Sequence, residues 1–437
     1  MKDLLIYVPK ITNRLQYAFD LVMGQQLGLK FRFSTNKLDF ESFEGLKIIY
    51  GSEPIGNALF FKAGELLFER EISSQELKPF DFESIKAYFP VYHNKSAAPF
   101  DIFAAIFYLV SRYEEYLPSV RDMHGRFEAN SSCLFEHGLL QKPVVNIWCN
   151  WLGRLLEQSF PGLKIIQNSY SYTPTYDIDA AWAYLHKGLY RSAGAYLRDI
   201  INLDFQEIKN RNHVLSGTIK DPFDTFKFQF ELQKQHHLRP IYFILFADYG
   251  INDKNISVRN PAFQRLIKQL GDYAEIGIHP SYASFNNKNK LRKEVEALTE
   301  VLNREITKSR QHFLRLNLPT TYNHLIDLDI TDDYTMGYAS QPGFRAGITN
   351  SFLFYDLDHD VPTRLRVHPI TLMDGTLRDY LKVNSEQALA VAINLIQEVK
   401  AVEGTFISLW HNETLSDQKR WVGWVDIYRK IAMEALP

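Results

Sequence analysis

Short apolar runs alternate with helical patterns along the first third of the chain. Runs of a few apolar residues have the length of strands, whereas apolar residues that recur every three or four positions indicate helices. The predicted elements are the strands Leu4–Val8 and Leu46–Tyr50, the helices Leu15–Leu27, Phe100–Tyr116 and Val145–Phe160, and a hairpin over residues 57–70. Gly64 is expected at the hairpin turn. This alternation predicts a small α/β domain over residues 1–165.

The same rhythm of strand and helix continues at a larger scale in the rest of the chain. The predicted strands are Pro174–Ile178, Pro240–Phe246, Ala274–Ile278 and Gly404–Trp410. The predicted helices are Phe223–His236, Pro261–Tyr273, Lys288–Thr307 and Ser385–Val402. The polar stretch Asn168–Thr173 marks the expected boundary before this second domain, residues 170–437. Strands that alternate with helices of this length predict a parallel sheet, either open or closed as a barrel.

Composition narrows the class of protein. The 437 residues include 49 Lys and Arg against 51 Asp and Glu, and 46% are hydrophobic. This balance supports a folded core and excludes a disordered chain. A net charge of -2 argues against a protein that binds nucleic acid over its whole surface, because proteins of that class carry a net positive charge.

The cysteine content and the apolar segments of the chain predict its compartment and its partners. Two cysteines, Cys133 and Cys149, are too few for a disulfide scaffold and favour a reducing compartment. The apolar run Ile102–Val110 is much shorter than the ~20 residues of a membrane span. The first ten residues lack the apolar region and cleavage site of a signal peptide. We therefore expect a cytoplasmic protein without membrane partners, and the sequence does not determine its oligomeric state.

Three predicted strands end in side chains that can carry chemistry, at the edge where parallel sheets place their sites. Asp177 and Asp179 end the first strand, His279 the second and His411 the last. Asp177 and Asp179 point the same way in an extended segment, so both carboxylates face one cleft. Like charges this close require a cation or a shared proton, and Asp with His suits a divalent metal such as Zn²⁺. The alternative is a pair of turn or helix-capping aspartates.

Two later segments carry further candidates. Arg310 and His312 would share a face if their segment is a strand, where Arg310 can bind a carboxylate and His312 a metal. A glycine-containing polar segment downstream includes Asp333 and Arg345. The glycine-flanked arginine indicates substrate contact, or else the segment is an ordinary polar loop. Residues 121–126 form another polar loop, for which a structural role is favoured over approach to the cleft.

The order of these motifs resembles that of the polysaccharide deacetylases, the carbohydrate esterases with chitooligosaccharide deacetylase homology. Thr175–Asp179 resembles the first motif of that family. His279–Ala283 resembles the second motif, whose first histidine is His279. Ala283 stands where the family has its second histidine, so the usual set of one aspartate and two histidines needs a compensating ligand.

The remaining motifs follow in the same order. Arg310 falls at the arginine of the third motif, Asp333-Tyr334 resembles the fourth, and Ile407–His411 resembles the fifth. The resemblance covers about residues 170–437, whereas residues 1–165 match nothing in the catalytic core of that family. It implies a distorted (β/α) barrel for the second domain, preceded by a smaller α/β domain.

The resemblance also implies an activity and a role for each residue. The protein would remove an acetyl group from an N-acetylated sugar or glycan with a divalent metal, Zn²⁺ being expected. Asp179 and His279 would bind the metal, together with His312 as the compensating ligand. Asp177 would act as the base and His411 as the general acid.

Supporting roles complete the predicted mechanism. Asp333 would orient His411, and Arg310 would fix Asp177 or bind substrate. The predicted substrate contacts, chosen by residue type and position, are Arg345, Tyr282 and Trp410. For most aromatic residues near the site, core packing is the favoured role.

Other classes of function stay open. In a glycosyltransferase, the two aspartates of the first motif would hold a metal and a nucleotide diphosphate, and the histidines would not be needed. A glycoside hydrolase with two carboxylates needs no metal. A non-catalytic deacetylase homologue that binds a glycan or a partner is favoured by Ala283.

Overall fold

Two largely parallel β-sheets organise the chain, and the computed structural model describes residues 4–166 and 168–437. The N-terminal elements are β1 Leu4–Tyr7, α1 Asn13–Phe19, β2 Phe31–Ser34, α2 Lys37–Ser42, β3 Leu46–Gly51, β4 Leu59–Lys62, β5 Phe80–Phe82, β6 Ile85–Ala87, α3 Ile102–Val110, α4 Cys133–Glu136 and α5 Val144–Ser159. A π-helical segment, Asp20–Gln26, continues α1 over the predicted helix.

The N-terminal sheet has four parallel strands in the order β2-β1-β3-β4. Helix α3 is buried along its whole length because all nine of its residues are apolar or aromatic. Asp101 begins this helix by accepting a hydrogen bond from the backbone N–H of Ala104. The helix ends earlier than predicted, because Arg112 has a φ of 55° and the backbone continues as a 3-10 turn over Tyr113–Tyr116.

The predicted hairpin over residues 57–70 is wrong. Strand β4 pairs in parallel with β3, and the chain after Lys62 does not return alongside β4. The backbone N–H of Gly64 donates to the Asp101 carboxylate at 2.6 Å, and a Cβ at this position would lie 3.2 Å from that carboxylate oxygen. Gly64 therefore allows the backbone to approach the start of α3, and its role is not that of a hairpin turn.

The elements of the C-terminal region alternate as predicted, with two additional helices after the first strand. They are β7 Ser171–Ile178, α6 Leu189–Ile201, α7 Phe205–Leu215, α8 Phe226–His236, β8 Ile241–Leu245, α9 Pro261–Tyr273, β9 Glu275–His279, α10 Lys288–Leu302, β10 Lys308–Ser309, α11 Thr320–Ile326, β11 Asp332–Asp333, β12 Phe352–Asp356, β13 Val361–Val367, β14 Leu372–Met373, α12 Ser385–Ala401, β15 Thr405–His411 and α13 Trp424–Glu434.

The C-terminal sheet has nine strands in the order β12-β13-β11-β10-β9-β8-β7-β15-β14. The pairs from β13 to β14 are all parallel, and only β12 is antiparallel to its neighbour β13. The predicted α/β class with a parallel sheet is confirmed. Strands β12 and β14 are the two ends of the pairing observed within the described residues.

A single hydrophobic cluster includes buried side chains from both sheets. Tyr17 of α1 packs against Tyr355 of β12 with ring centroids 5.0 Å apart, and its hydroxyl donates to the Leu353 carbonyl at 2.6 Å. The N-terminal region is thus fixed against the edge of the C-terminal sheet. None of the helices in the described ranges combines the length and the apolar character that a membrane crossing requires.

A buried network of charges also joins the two regions. Arg345 forms two hydrogen bonds to the Glu115 carboxylate, at 2.9 and 2.6 Å, and Arg112 donates to the same carboxylate at 2.8 Å. Burial alone would raise the pKa of Glu115, but the two guanidinium groups outweigh it and lower that pKa to about 2. Arg345 is therefore a structural residue of the interface, away from the residues that line the cleft described below.

We expect Arg345→Met to lower the free energy of unfolding by about 3–5 kcal/mol, because it removes one partner from a buried ion pair. The matched control is Arg429→Met, since Arg429 forms an exposed pair with Asp426 at 3.0 Å, and we expect a loss within about 1 kcal/mol. Urea unfolding followed by tryptophan fluorescence measures both. Equal midpoints for the two variants would contradict the structural role of Arg345.

Candidate active site

The carboxyl ends of the central strands form a cleft that collects five of the ten predicted site residues. Strands β9, β8, β7 and β15 are neighbours, and Asp177 on β7 lies in register with His411 on β15. The cleft has a volume of about 630 Å³. Asp177, Asp179, His279, His312 and His411 all line it. These five side chains therefore meet at the edge where parallel sheets typically carry their sites.

Asp179, His279 and His312 form a compact group, the Asp–His–His group. One candidate ligand atom from each lies within 4.8 Å of the others. His279 Nε2 is 3.4 Å from Asp179 Oδ1, and His312 Nε2 is 3.5 Å from Asp179 Oδ2. Asp179 Oδ1 is buried and has no hydrogen-bond partner in the described part of the chain. The three side chains therefore direct potential ligand atoms toward one point.

The second nitrogen of each histidine ring is held by an acceptor. His279 Nδ1 lies 2.5 Å from the Arg310 carbonyl oxygen, and His312 Nδ1 lies 2.9 Å from Asp253 Oδ1. When each Nδ1–H donates to its acceptor, the lone pair of Nε2 faces Asp179. Metal-binding histidines are typically oriented in this way. One carboxylate and two imidazoles are also a donor set that suits Zn²⁺, so the residues present fit a divalent metal.

Electrostatics concentrate negative charge at this group. Burial would lower the pKa of His312, but the Asp179 and Asp253 carboxylates outweigh it and raise that pKa to about 9. Burial would raise the pKa of Asp179, yet the neighbouring His312, His279 and His411 hold that pKa well below its usual range. Both shifts have the same cause, the mutual attraction between these carboxylates and the imidazole rings beside them.

Asp177 is fixed beside this group by a buried arginine. Arg310 Nη1 donates to Asp177 Oδ1 at 2.8 Å, and Arg310 Nε donates to the Tyr334 carbonyl at 3.0 Å. The guanidinium also lies over the Phe243 ring, 4.4 Å from its centroid. The other carboxylate oxygen, Asp177 Oδ2, is 3.6 Å from His279 Nε2. One oxygen of Asp177 is thus bound by Arg310, and the other faces the Asp–His–His group.

His411 is held by a carboxylate on the opposite side of the cleft. Its Nδ1 lies 2.8 Å from Asp374 Oδ1, and its backbone N–H donates to Asp374 Oδ2 at 2.8 Å. The Thr414 hydroxyl also donates to Asp374. Burial would lower the pKa of His411, but the charge and hydrogen bond of Asp374 outweigh it and raise that pKa well above its usual range. His411 Nε2 faces the cleft, 3.8 Å from Asp179 Oδ2.

Two residues of this arrangement were not predicted. Asp374 follows the two-residue strand β14, and Asp253 lies in the irregular segment between β8 and α9. A signal for Asp374 exists in the sequence, because the apolar stretch Ile370–Met373 precedes an Asp-Gly pair at the end of a strand. The segment around Asp253 has no periodic pattern that would indicate its position.

Several predicted roles change with the structure. Asp374 holds His411 in place of Asp333, which is fully buried at the end of β11 and accepts hydrogen bonds from Thr335. Trp410 packs against Tyr428 on the other side of the strand, because successive side chains of a strand point to opposite faces.

The other predicted substrate contacts also lie outside the residues that line the cleft. Tyr282 pairs through its hydroxyl with His124 Nδ1 at 3.1 Å, and the Arg315 guanidinium covers its ring. Arg345 is bound by Glu115, as described above. His312 lines the cleft, and Arg310 is buried behind it, bound to Asp177. The predicted strand is only Lys308–Ser309, and His312 begins a 3-10 turn.

The N-terminal region contributes a side chain to the wall of the cleft. Arg126, in the polar loop 121–126, donates to the Phe313 carbonyl at 2.8 Å and to the Tyr380 hydroxyl at 3.1 Å. The Asp122 carboxylate accepts from its guanidinium at 2.7 Å. Since Phe313 follows His312 directly, this loop supports the segment that carries a candidate metal ligand. The alternative interpretation of the loop, approach to the cleft, is the one that the structure supports.

Comparisons with known proteins give one family match and several similar structures. Residues 4–161 match a model described as a family of unknown function, DUF7033. No curated protein sequence matches the chain.

Solved structures give three examples of similarity. A Mycobacterium smegmatis protein described as a polysaccharide deacetylase is 13% identical, with a TM-score of 0.40 over 62% of this chain and 86% of that one. The polysaccharide deacetylase from Bacillus cereus is 13% identical, with a TM-score of 0.29 over 60% and 86%. A CE4 family pseudoenzyme from Bacillus anthracis is 11% identical, with a TM-score of 0.27 over 62% and 63%.

The chain is similar to polysaccharide deacetylases. The TM-scores all lie below 0.5, and one of the similar structures is a pseudoenzyme. The inference of function below therefore depends on the geometry of the cleft.

Proposed function

We propose that the cleft hydrolyses an amide bond, removing an acetyl group from an N-acetylated sugar or glycan with a divalent metal, Zn²⁺ being expected. One observation carries this proposal. The Asp–His–His group lies between a carboxylate fixed by an arginine and a histidine fixed by a carboxylate. Amide hydrolysis needs a base for the attacking water, an electrophile at the carbonyl oxygen and an acid for the leaving amine, and this cleft offers a candidate for each.

The metal would be held by Asp179, His279 and His312. When bound, a divalent metal supplies a Lewis acid that polarises the amide carbonyl and lowers the pKa of water. Asp253 and the Arg310 carbonyl orient the two imidazoles toward it. The sequence motif has Ala283 in place of its second histidine, and His312 Nε2 supplies a nitrogen at the group instead.

Asp177 is the proposed general base. Arg310 binds its Oδ1, which keeps the carboxylate in one orientation with Oδ2 toward the Asp–His–His group. From that position Oδ2 can accept the proton of a water that attacks the acyl carbon.

His411 is the proposed general acid. Asp374 holds Nδ1 and leaves Nε2 facing the cleft on the side opposite Arg310. Nε2–H can donate its proton to the amine nitrogen as the bond to the acyl carbon breaks. The amine then leaves neutral, which lowers the barrier for its departure.

We expect Asp374→Asn to lower kcat for acetate release by about 10–100-fold, because an asparagine no longer stabilises the imidazolium of His411. Loss of the carboxylate also lowers the pKa of His411, so the alkaline limb of the pH–rate profile should move to lower pH. Steady-state kinetics from pH 5 to 10 measure both effects, with the exposed Asp329→Asn as the control. An unchanged profile in Asp374→Asn would remove His411 as the acid.

The fold and the shape of the cleft are consistent with a carbohydrate substrate. We propose that residues 170–437 form a distorted (β/α) barrel and that residues 1–165 form a separate α/β domain, whose loop completes the wall of the cleft through Arg126. Tyr380 lines the cleft and is partly exposed, so its ring can stack on a sugar.

The two alternatives make different demands on the cleft. A glycosyltransferase would use Asp177 and Asp179 for a nucleotide diphosphate, without a need for the histidines that surround them. A non-catalytic homologue would lack the metal or one of the proton-transfer groups. Turnover of a UDP-sugar without release of acetate would favour the transferase.

Metal removal tests the proposal. We expect wild-type protein to release acetate from N-acetylated chitooligosaccharides, to lose this activity after dialysis against a chelator, and to regain it with one equivalent of Zn²⁺. Acetate is measured by a coupled assay, and circular dichroism of the metal-free protein controls for unfolding. Activity that survives complete removal of metal would contradict the proposed mechanism.

A further inference from the structure

A second cavity adjoins the cleft. It has a volume of about 790 Å³ and lies between α6, α7 and the segment after β15. We call it the basic groove, after Lys187, Arg191, Arg211 and Lys254, which line it. Lys254 also lines the cleft, together with three other residues shared by both cavities, so the two spaces are continuous.

The lining of the basic groove carries an excess of positive charge. Seven of its residues are Lys or Arg, and two are Glu. Four of the seven cations form ion pairs with carboxylates, at Asp199, Glu207 and Glu413. Within residues 4–166 and 168–437, Lys187, Arg191 and Lys254 form no ion pair with a carboxylate. Three cations of this cavity thus lack a neutralising partner.

The uncompensated cations are held close together. Arg191 donates to the Asn255 carbonyl at 2.8 Å and lies over the Tyr249 ring, 3.9 Å from its centroid. Lys254 Nζ lies 5.2 Å from the centroid of the same ring. Two positive groups therefore converge on Tyr249 beside the entrance to the cleft.

Two further features of the groove favour an anionic ligand. Burial, followed by the charge of Arg191, lowers the pKa of Lys187 to about 8, and the charges of Asp221 and Glu413 offset this desolvation only in part. Arg211 is only 4% exposed, and its Nε is buried without a hydrogen-bond partner in the described residues, although Nη2 donates to Asp199 at 2.6 Å. A buried guanidinium N–H without an acceptor costs free energy unless a ligand supplies one.

We propose that the basic groove binds a phosphate or diphosphate group, and that the substrate of the cleft is an N-acylated sugar that carries such a group. Phosphate oxygens accept several charge-assisted hydrogen bonds, which Lys and Arg donate well. Lys254, which lines both cavities, would contact the ligand where the sugar and the phosphate meet. The choice of substrate rests on the proposed deacetylase function, whereas binding of the anion does not.

The phosphate could belong to a soluble sugar phosphate or to a lipid-linked sugar, because the chemistry recognised is the same. Helix α6 makes the second source relevant. Leu189, Ile200 and Ile201 on this helix are 88%, 53% and 70% exposed, next to the groove. An experiment on the groove therefore tests a soluble phosphate compound and a phosphate on a lipid surface separately.

Calorimetric titration of inorganic pyrophosphate into metal-free protein tests the site. Removing the metal first prevents chelation of pyrophosphate at the Asp–His–His group. We expect saturable binding that weakens at least about tenfold in Lys187→Gln and in Lys254→Gln, since each loses a charge-assisted hydrogen bond. The matched control is Lys430→Gln, because Lys430 is exposed on α13 and outside both cavities. Absence of binding, or equal affinity in all variants, would overturn the proposal.

A measurement on the wild type guards against misfolded variants. Pyrophosphate should protect Lys187 from an amine-acylating reagent, read by mass spectrometry, and leave Lys430 equally reactive. Equal labelling of Lys187 with and without pyrophosphate would also overturn the proposal.

The lipid arm uses phosphatidylcholine vesicles with and without phosphatidic acid. Sedimentation with the acidic vesicles, competed by pyrophosphate and lost in Lys187→Gln, would support a lipid-linked substrate. Pyrophosphate binding without vesicle binding would support a soluble sugar phosphate. These assays use metal-free protein, so they measure binding of the anion without the deacetylase activity. A failure of anion binding can therefore be distinguished from a failure of the proposed deacetylase function.

Discussion

Alanine in place of Asp179 is expected to abolish stoichiometric binding of a divalent metal. Among the described residues, Asp179 supplies the only carboxylate of the Asp–His–His group. Its Oδ1 lies 3.4 Å from His279 Nε2, and its Oδ2 lies 3.5 Å from His312 Nε2. Loss of an outer-shell partner already costs about 10–100-fold in metal affinity, so loss of a ligand should cost more than about 100-fold. Inductively coupled plasma mass spectrometry after dialysis against Zn²⁺ measures the metal content.

Two comparisons make this result specific. His312→Ala should lose the metal as completely as Asp179→Ala, because His312 stands in for the histidine that Ala283 does not provide. Asp426→Ala, an exposed aspartate on α13, should keep one equivalent. A variant at Asp179 that retains one equivalent of Zn²⁺ would show that the metal, if any, binds elsewhere.

Asp177→Asn should lower kcat for acetate release by about 10²–10⁴-fold while the protein keeps its metal. Asparagine has the shape of aspartate, and its amide oxygen can still accept from Arg310 Nη1. It cannot accept a proton from water at neutral pH, so only the proposed base is removed. Acetate release is measured beside metal content in the same preparation.

The paired readout separates two roles for Asp177. Loss of activity with full metal content supports a base. Loss of both would make Asp177 a ligand, since its Oδ2 lies 3.6 Å from His279 Nε2. Unchanged activity would exclude Asp177 from the mechanism, and Asp426→Asn serves as the control for the substitution itself.

The strand ends of this site could be predicted from the sequence because β-branched and aromatic residues mark their strands. Strands β7, β9 and β15 each contain such residues, and their parallel order brings Asp177, His279 and His411 to one edge. Local patterns are enough to predict these three positions, because each residue lies at the end of a strand that the sequence itself indicates.

The partners of the histidines could not be predicted in the same way. Asp374 follows a strand of only two residues, and Asp253 lies in an irregular segment, so neither position follows from periodicity. Asp333 is as close to a strand end as Asp374, but it hydrogen-bonds Thr335 and is buried. Which of the two reaches His411 depends on the neighbouring strand, β15, and hence on the order of the sheet.

The backbone of the segment after α10 could not be predicted from the sequence either. The sequence predicted a strand in which Arg310 and His312 share a face, whereas β10 ends at Ser309 and Phe313 has a φ of 61°. Both side chains still contact residues of the cleft, Arg310 at Asp177 and His312 at Asp179. The residue types were therefore informative, although the predicted backbone was wrong.

Anomalous diffraction from a crystal grown with Zn²⁺ tests the central claim most directly. We predict one peak at the zinc edge, about 2.0–2.2 Å from His279 Nε2, His312 Nε2 and a carboxylate oxygen of Asp179. The same crystal form of His312→Ala should lack this peak. A peak that excludes His312, or a cleft without a peak at saturating Zn²⁺, would contradict the proposed metal site and the hydrolysis that depends on it.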